Sequence, residues 1–214
     1  MVLYLVQIDV PTQQAEAFSR YQAGHVAKSL AAMGRSAVGM RARVLRDGDV
    51  TRFYWFFELP SLSALEAFLT SREREELAAE LAEEFPEARV HLSFGELVGG
   101  VRRGLRYGEE PGAAFVLDIS LPRGEANGLA SWYDEEQIPR ALAGNGFVRA
   151  RRFELHGDDQ TTRHLVVLDA VDLDAIRAYE SENESVLPAP DGHAPDAVVE
   201  RALWQWMRET PAGD

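Results

Sequence analysis

A chain of 214 residues, 46% apolar and 27% charged, has the composition of a folded globular protein and is long enough for one large domain or two small ones. Its formal net charge of −13 argues against nucleic acid and anionic membrane surfaces as partners, because both are bound by neutralising phosphate. Cysteine is absent, which excludes disulfides, thiolate metal sites and thiol catalysis.

In chain order, residues 2–10 form an apolar strand interrupted by Gln7 and Asp9, and Pro11-Thr12 supplies a strand stop and a helix cap. This start lacks the basic flank of a signal peptide, and no stretch approaches the ~20 apolar residues of a membrane span, so a cytoplasmic protein is expected. Residues 12–33 place Ala15, Phe18, Val26 and Leu30 near helical spacing, with Gly34 as the stop. Two strands, 37–45 and 51–59, flank a turn at Asp47-Gly48-Asp49. A second helix covers 62–85 behind a Ser61 cap, and 89–97 is a fourth strand. The order β-α-β-β-α-β is ferredoxin-like.

The same order then recurs. Val10-Pro11 matches Leu121-Pro122, Thr51-Arg52 matches Thr162-Arg163, and Ala64 with Phe68 matches Ala175 with Tyr179, all at a spacing of 111. The second copy reads as strand 113–121, helix 124–143, strands 147–155 and 162–170, helix 172–183 and strand 198–207, with a Pro-rich loop over 187–195. The expected organisation is a first repeat over 1–98, a glycine-rich linker over 99–112 and a second repeat over 113–209.

The expected fold class is α+β. A four-stranded antiparallel sheet with both helices on one face leaves its other face bare, so the two sheets are expected to pack face to face with a cavity between them. The aromatics Phe53, Trp55 and Phe57 alternate with Tyr54 and Phe56, which calls for burial on both faces of that strand. Tyr4, Val6, Ile8 and Val10 form the helix-packed row, so Gln7 and its counterpart Asp118 on the opposite row are candidate pocket residues. With the partner sheet already in cis, a monomer acting as a pseudo-dimer is expected, with further dimerisation open through sheet edges.

The segment Trp132-Tyr133-Asp134-Glu135-Glu136-Gln137-Ile138-Pro139 resembles the W-Y-D/N-x-E-H-x-P segment on the first helix of EthD-like and related dimeric α/β-barrel proteins. The resemblance implies two fused ferredoxin-like units forming the barrel within one chain. It does not choose a chemistry, since such proteins include monooxygenases, polyketide cyclases, isomerases, dehydratases and haem enzymes. The second copy has Gln137 in place of the motif histidine, whereas the first copy has Tyr21 and His25 at the equivalent places and lacks the Trp, Glu and Pro. The half containing His25 is therefore expected to hold the working cavity.

His25 is the leading general acid or base, with Tyr21 one helical turn earlier to orient it and His91 as a second candidate on the fourth strand. Gln7, Asp118, Arg41, Tyr54 and Trp55 are the expected substrate contacts. Arg41 and Arg149 occupy matching positions, as do Arg43 and Arg151, and could clamp a carboxylate or enolate. No two histidines have metal-ligand spacing, so neither metal nor bound cofactor is expected, although haem on one axial histidine stays open. These residues suit cofactor-free acid–base chemistry, as a cyclase, isomerase or monooxygenase, on a hydrophobic aromatic or polyketide-like compound. The alternative is a non-catalytic ligand-binding or structural barrel that has lost its chemistry, as the eroded motif in both copies suggests, and a cavity filled by side chains such as Tyr54, Trp55 or Trp204 would favour it.

Overall fold

The computed structural model describes residues 1–45, 48–102, 111–143, 146–156, 161–182 and 196–207. Residues 103–110 of the glycine-rich segment, the loop holding His193 and the C-terminal tail lie outside the described residues. The chain forms two compact units: Met1–Phe94 with the residues from Met207, and Gly95–Trp206.

The first unit contains β1 (Val2–Pro11), a 3-10 turn (Thr12–Gln14), α1 (Ala15–Met33), β2 (Val38–Val44), β3 (Val50–Leu59), α2 (Leu62–Leu69), α3 (Arg72–Glu84) and the first part of β4 (Arg89–Arg102). β3 is central, pairing antiparallel with β1 and with β2. Its helix-facing row, Phe53, Trp55, Phe57 and Leu59, joins Tyr4, Val6, Ile8 and Val10 in a core closed by Phe18, Val26, Leu65, Phe68, Leu81 and Phe85. Phe18 alone has rings of Phe53 at 4.9 Å and Phe85 at 5.1 Å, and burying a side chain of that size stabilises by roughly 1.5–3 kcal/mol. The opposite row, including Leu3, Leu5, Tyr54 and Phe56, is also buried, as the doubly apolar β3 requires.

Three local expectations need correction. Thr12 does not cap α1; its hydroxyl donates to the Gly48 carbonyl at 2.8 Å and ties the end of β1 to the β2–β3 turn. The helix expected over 62–85 is broken at Thr70-Ser71, because the Ser71 hydroxyl accepts from the Arg74 N–H at 3.1 Å and starts α3 afresh. Removing that cap in Ser71→Ala should cost about 1 kcal/mol, read as a lower thermal midpoint with an unchanged far-UV spectrum. Gly99 and Gly100, expected in a linker, lie in β4 opposite Arg152 and Arg151 of β6. Glycine serves close approach there: a Cβ on neighbouring Gly95 would sit 2.1 Å from the Glu154 carbonyl oxygen, and one on Gly99 would sit 2.8 Å from the Asp134 carboxylate.

The second unit continues β4 from Gly95 and adds β5 (Ala113–Pro122), α4 (Ala126–Trp132), a π-turn (Tyr133–Gln137), α5 (Ile138–Ala143), β6 (Phe147–Leu155), β7 (Thr161–Ala170), α6 (Leu173–Glu182) and β8 (Val198–Met207). Its strands are ordered β8-β5-β7-β6-β4, with antiparallel neighbours. The β-α-β-β-α-β order thus recurs. Val2 faces Leu59 and Pro11 faces Val50 in the first unit; displaced by 111, these become Ala113 facing Ala170 and Pro122 facing Thr161 in the second. One difference follows from Pro139, which has no N–H to donate to the Glu135 carbonyl and whose ring crowds the preceding turn. There the helix widens into the π-turn, whereas α1, without a proline, runs unbroken for 19 residues.

Candidate active site

α1 buries Ala15, Phe18, Gln22, His25, Val26 and Ser29 against the sheet, a three- and four-residue spacing that sets two polar side chains and one imidazole among apolar ones. Each is anchored. The Trp55 indole N–H donates to the Gln22 amide oxygen at 3.0 Å, and the Ser29 hydroxyl donates to the His25 carbonyl at 3.0 Å. The His25 ring stacks on Trp55 at 4.6 Å, and its Nδ1 lies 2.8 Å from the Tyr21 hydroxyl. His25 Nε2 has no protein partner among the described residues.

His25, Ser29 and Trp55 border a cavity of about 80 Å³ between the helices and the sheet of the first unit. At roughly 10–15 Å³ of such space per water, it admits about half a dozen waters, or one small ring. Its walls are mainly apolar, with His25, Ser29, the Tyr4 hydroxyl and Arg74 as the polar groups. Val90 and Leu92 of β4, 43% and 45% exposed, mark its open side.

Burial holds the His25 imidazolium down, from 6.5 to about 4, so the ring is neutral at pH 7. Glu80 pulls the other way and Lys28 opposes it; those two side chains are themselves paired at 2.8 Å, which leaves burial dominant. Tyr21 is pushed up to about 12, by burial first and then by Glu80 and Glu84, so its hydroxyl keeps its proton. The pair has two states. When Nδ1–H donates to the Tyr21 oxygen, Nε2 is a base; when the hydroxyl donates to Nδ1, Nε2–H is a hydrogen-bond donor.

Of the residues expected at the site, His25, Tyr21 and Trp55 come together. His91 does not: it is exposed, while its neighbours Val90 and Leu92 line the cavity. The expectation of substrate contacts on the opposite sheet row also fails for this cavity, which lies on the helix-packed side. Gln7 turns its carbonyl toward the Arg52 guanidinium at 3.0 Å and its NH₂ toward the Tyr54 hydroxyl at 3.1 Å, while Arg52 pairs with Asp9 at 2.7 Å. Asp118, in the Gln7 position of the second unit, pairs with Arg163, so the same arginine position is held by a carboxylate two residues away along the strand. Arg41 is buried and does not border the cavity. Arg149 and Arg151 clamp a carboxylate, but it is the chain's own Asp169.

Among the described residues the second unit lacks the imidazole–hydroxyl pair. Tyr133, equivalent to Tyr21, is fully buried with no hydrogen-bond partner for its hydroxyl among the described residues, and Gln137 stands where His25 would. His164, on β7, is 1% exposed with its Nδ1 3.4 Å from the Arg152 guanidinium; burial and that cation both lower its pKa. Sequence reasoning missed Arg74, Tyr4, Ser29 and Gln22. Gln22 carried a signal, a polar residue three positions before His25 on the buried stripe of α1.

No family profile matches the chain, and no curated protein does. Solved structures share its fold. A candidate monooxygenase from Fusobacterium nucleatum superposes with a TM-score of 0.63 at 10% identity, covering 97% of this chain and 93% of that one. An anthrone oxidase-like protein gives 0.64 at 12% identity, covering 97% and 92%. A variant chlorite dismutase from Candidatus Nitrospira defluvii in complex with cyanide gives 0.56 at 12% identity, covering 97% and 91%. The α+β class expected from the sequence is therefore that of these proteins. The expectation of no bound cofactor is overturned as an inference from fold, since chlorite dismutases are haem-binding. The cavity beside His25 does not itself fit haem, because a tetrapyrrole is several times larger than about half a dozen waters. No helix among the described residues is long and apolar enough to cross a membrane.

Proposed function

We propose that the chain is a small-molecule enzyme whose first step is proton transfer between His25 Nε2 and an acidic C–H or O–H of an apolar substrate seated in the first unit's cavity. The observation that carries this reading is the His25–Tyr21 pair at 2.8 Å, with a neutral imidazole bordering an apolar cavity. Trp55 and Gln22 fix the ring from one side and Tyr21 fixes the tautomer. As Nε2 takes the proton, Nδ1–H donates to the Tyr21 oxygen and steadies the imidazolium. Cyclisation, isomerisation and oxygenation all begin with such a deprotonation, and an aromatic or polyketide-like compound suits the walls. The shared 111-residue register and the Trp132–Pro139 segment support reading the units as diverged copies of an EthD-like unit in which only the first kept the pair. The cavity bordered by His25 on the helix-packed side of the sheet supports a ligand-accepting site in the first unit.

The test uses 2-tetralone and anthrone, two carbon acids able to place one ring in the cavity with the remainder at the Val90 and Leu92 side. Deuterium exchange at the acidic carbon, followed by NMR in D₂O, should be accelerated by the wild-type protein and reduced at least a hundredfold in His25→Gln. Equal exchange by the two proteins would sink the assignment.

A further inference from the structure

Arg74 is placed unlike Arg72, the other cation of its helix. It lies in the run Arg72-Glu73-Arg74-Glu75-Glu76, which reads as a solvated face, and the chain as a whole has 35 acidic residues against 22 basic ones. Carboxylates are plentiful around it. Arg72 takes Glu76 at 2.7 Å and Lys28 of α1 takes Glu80, yet among the described residues no carboxylate pairs with Arg74. Half-buried in the first turn of α3, its guanidinium instead borders the cavity and lies close enough to the Tyr4 hydroxyl of β1 to interact with it. Tyr4 is 5% exposed and packed edge-on to Phe68, so this partner is fixed in place.

A guanidinium offers five donors in a planar fork, and one tyrosine oxygen cannot use them. An arginine without a carboxylate partner beside an apolar cavity, in a strongly acidic protein, is suited to an anion brought by the ligand. We propose that Arg74 and the Tyr4 hydroxyl form an oxyanion subsite of this cavity, so that its ligand is a compact apolar body bearing a carboxylate or an enolate. The inference rests on the cavity being the substrate site and adds the substrate's class: the charge that develops when His25 removes a proton would face the Arg74 wall. Binding through Arg74 does not require His25 to act as a base, so the two readings can fail separately.

The experiment titrates the full chain at pH 7 by calorimetry with benzoate and with its neutral isostere benzamide. Wild type should bind benzoate at least tenfold more tightly than benzamide; Arg74→Gln should lose that preference, Arg74→Lys should recover part of it, and His25→Gln should keep it. Comparable far-UV spectra and thermal midpoints establish that the variants fold. Benzoate bound no better than benzamide, benzoate bound equally by wild type and Arg74→Gln, or no benzoate binding at millimolar concentration would each overturn the subsite. Loss of exchange in His25→Gln with no benzoate preference would leave the proton-transfer reading standing and remove only the anion subsite.

Discussion

Replacing Asp169 with leucine is expected to destabilise the second unit by about 3–5 kcal/mol, the range for breaking a buried ion pair by removing one partner. Asp169 is fully buried on β7, and its two oxygens serve Arg149 Nε at 2.6 Å, Arg151 at 2.9 Å and the Trp206 indole N–H at 2.9 Å. Arg151 is itself 5% exposed. A leucine fills the space of the carboxylate but leaves a guanidinium in a poorly hydrated place without the counter-charge it was folded around. The milder Asp169→Asn substitution keeps a hydrogen-bonding oxygen and loses only the charge, so it should cost less. In thermal melts the leucine variant should fall by on the order of 10 °C, with the asparagine variant between it and wild type. A leucine midpoint within two degrees or so of wild type would mean that the cluster contributes no net stability.

That cluster also shows how far the sequence could be read. Arg149 and Arg151 stood out as a pair able to clamp a carboxylate, and they do; the carboxylate lies twenty residues on from Arg149, across the β6–β7 ladder. Strand order and the 111-residue register were legible because alternation has a fixed period of two and Pro11, Pro122 and Gly34 punctuate it. The side of the sheet holding the cavity was not legible. Polar residues on the row opposite the helices suggested a pocket there, whereas Gln7, Tyr54, Asp9 and Arg52 satisfy one another. On the helix side the cavity is bordered largely by apolar residues indistinguishable in sequence from core. Arg74 was hidden for a different reason: a charged run has no visible face until Ser71 is seen to restart the helix and fix its rotation.

His25→Gln should reduce proton transfer by about 10²–10⁴-fold, the usual worth of a positioned general base, while leaving the fold intact. Its pH behaviour separates this role from a merely structural one. Because kcat/KM reports the free enzyme, its acid limb should bend near pH 4 and not near 6.5: with the imidazolium at about 4, roughly nine-tenths of the protein still has a neutral base at pH 5. Stability should move in the corresponding sense. The unfolded chain binds this proton from about pH 6.5 downward while the folded one resists it until about 4, so protons accumulate on the unfolded state across that window. The stability that His25 contributes by staying neutral is present above pH 6.5, declines as pH falls toward 4, and changes no further below it. Across the window the wild type should lose on the order of 3 kcal/mol more than His25→Gln, whose glutamine does not titrate. The groups facing the ring do not reverse this sign: Tyr21 keeps its proton to about 12, and Glu80 and Lys28 are paired with each other. Urea melts of both proteins at pH 7, 5.5 and 4 read the difference directly. Parallel stability curves would show that His25 titrates alike in the folded and unfolded chains, and a neutral buried imidazole could then no longer be the base.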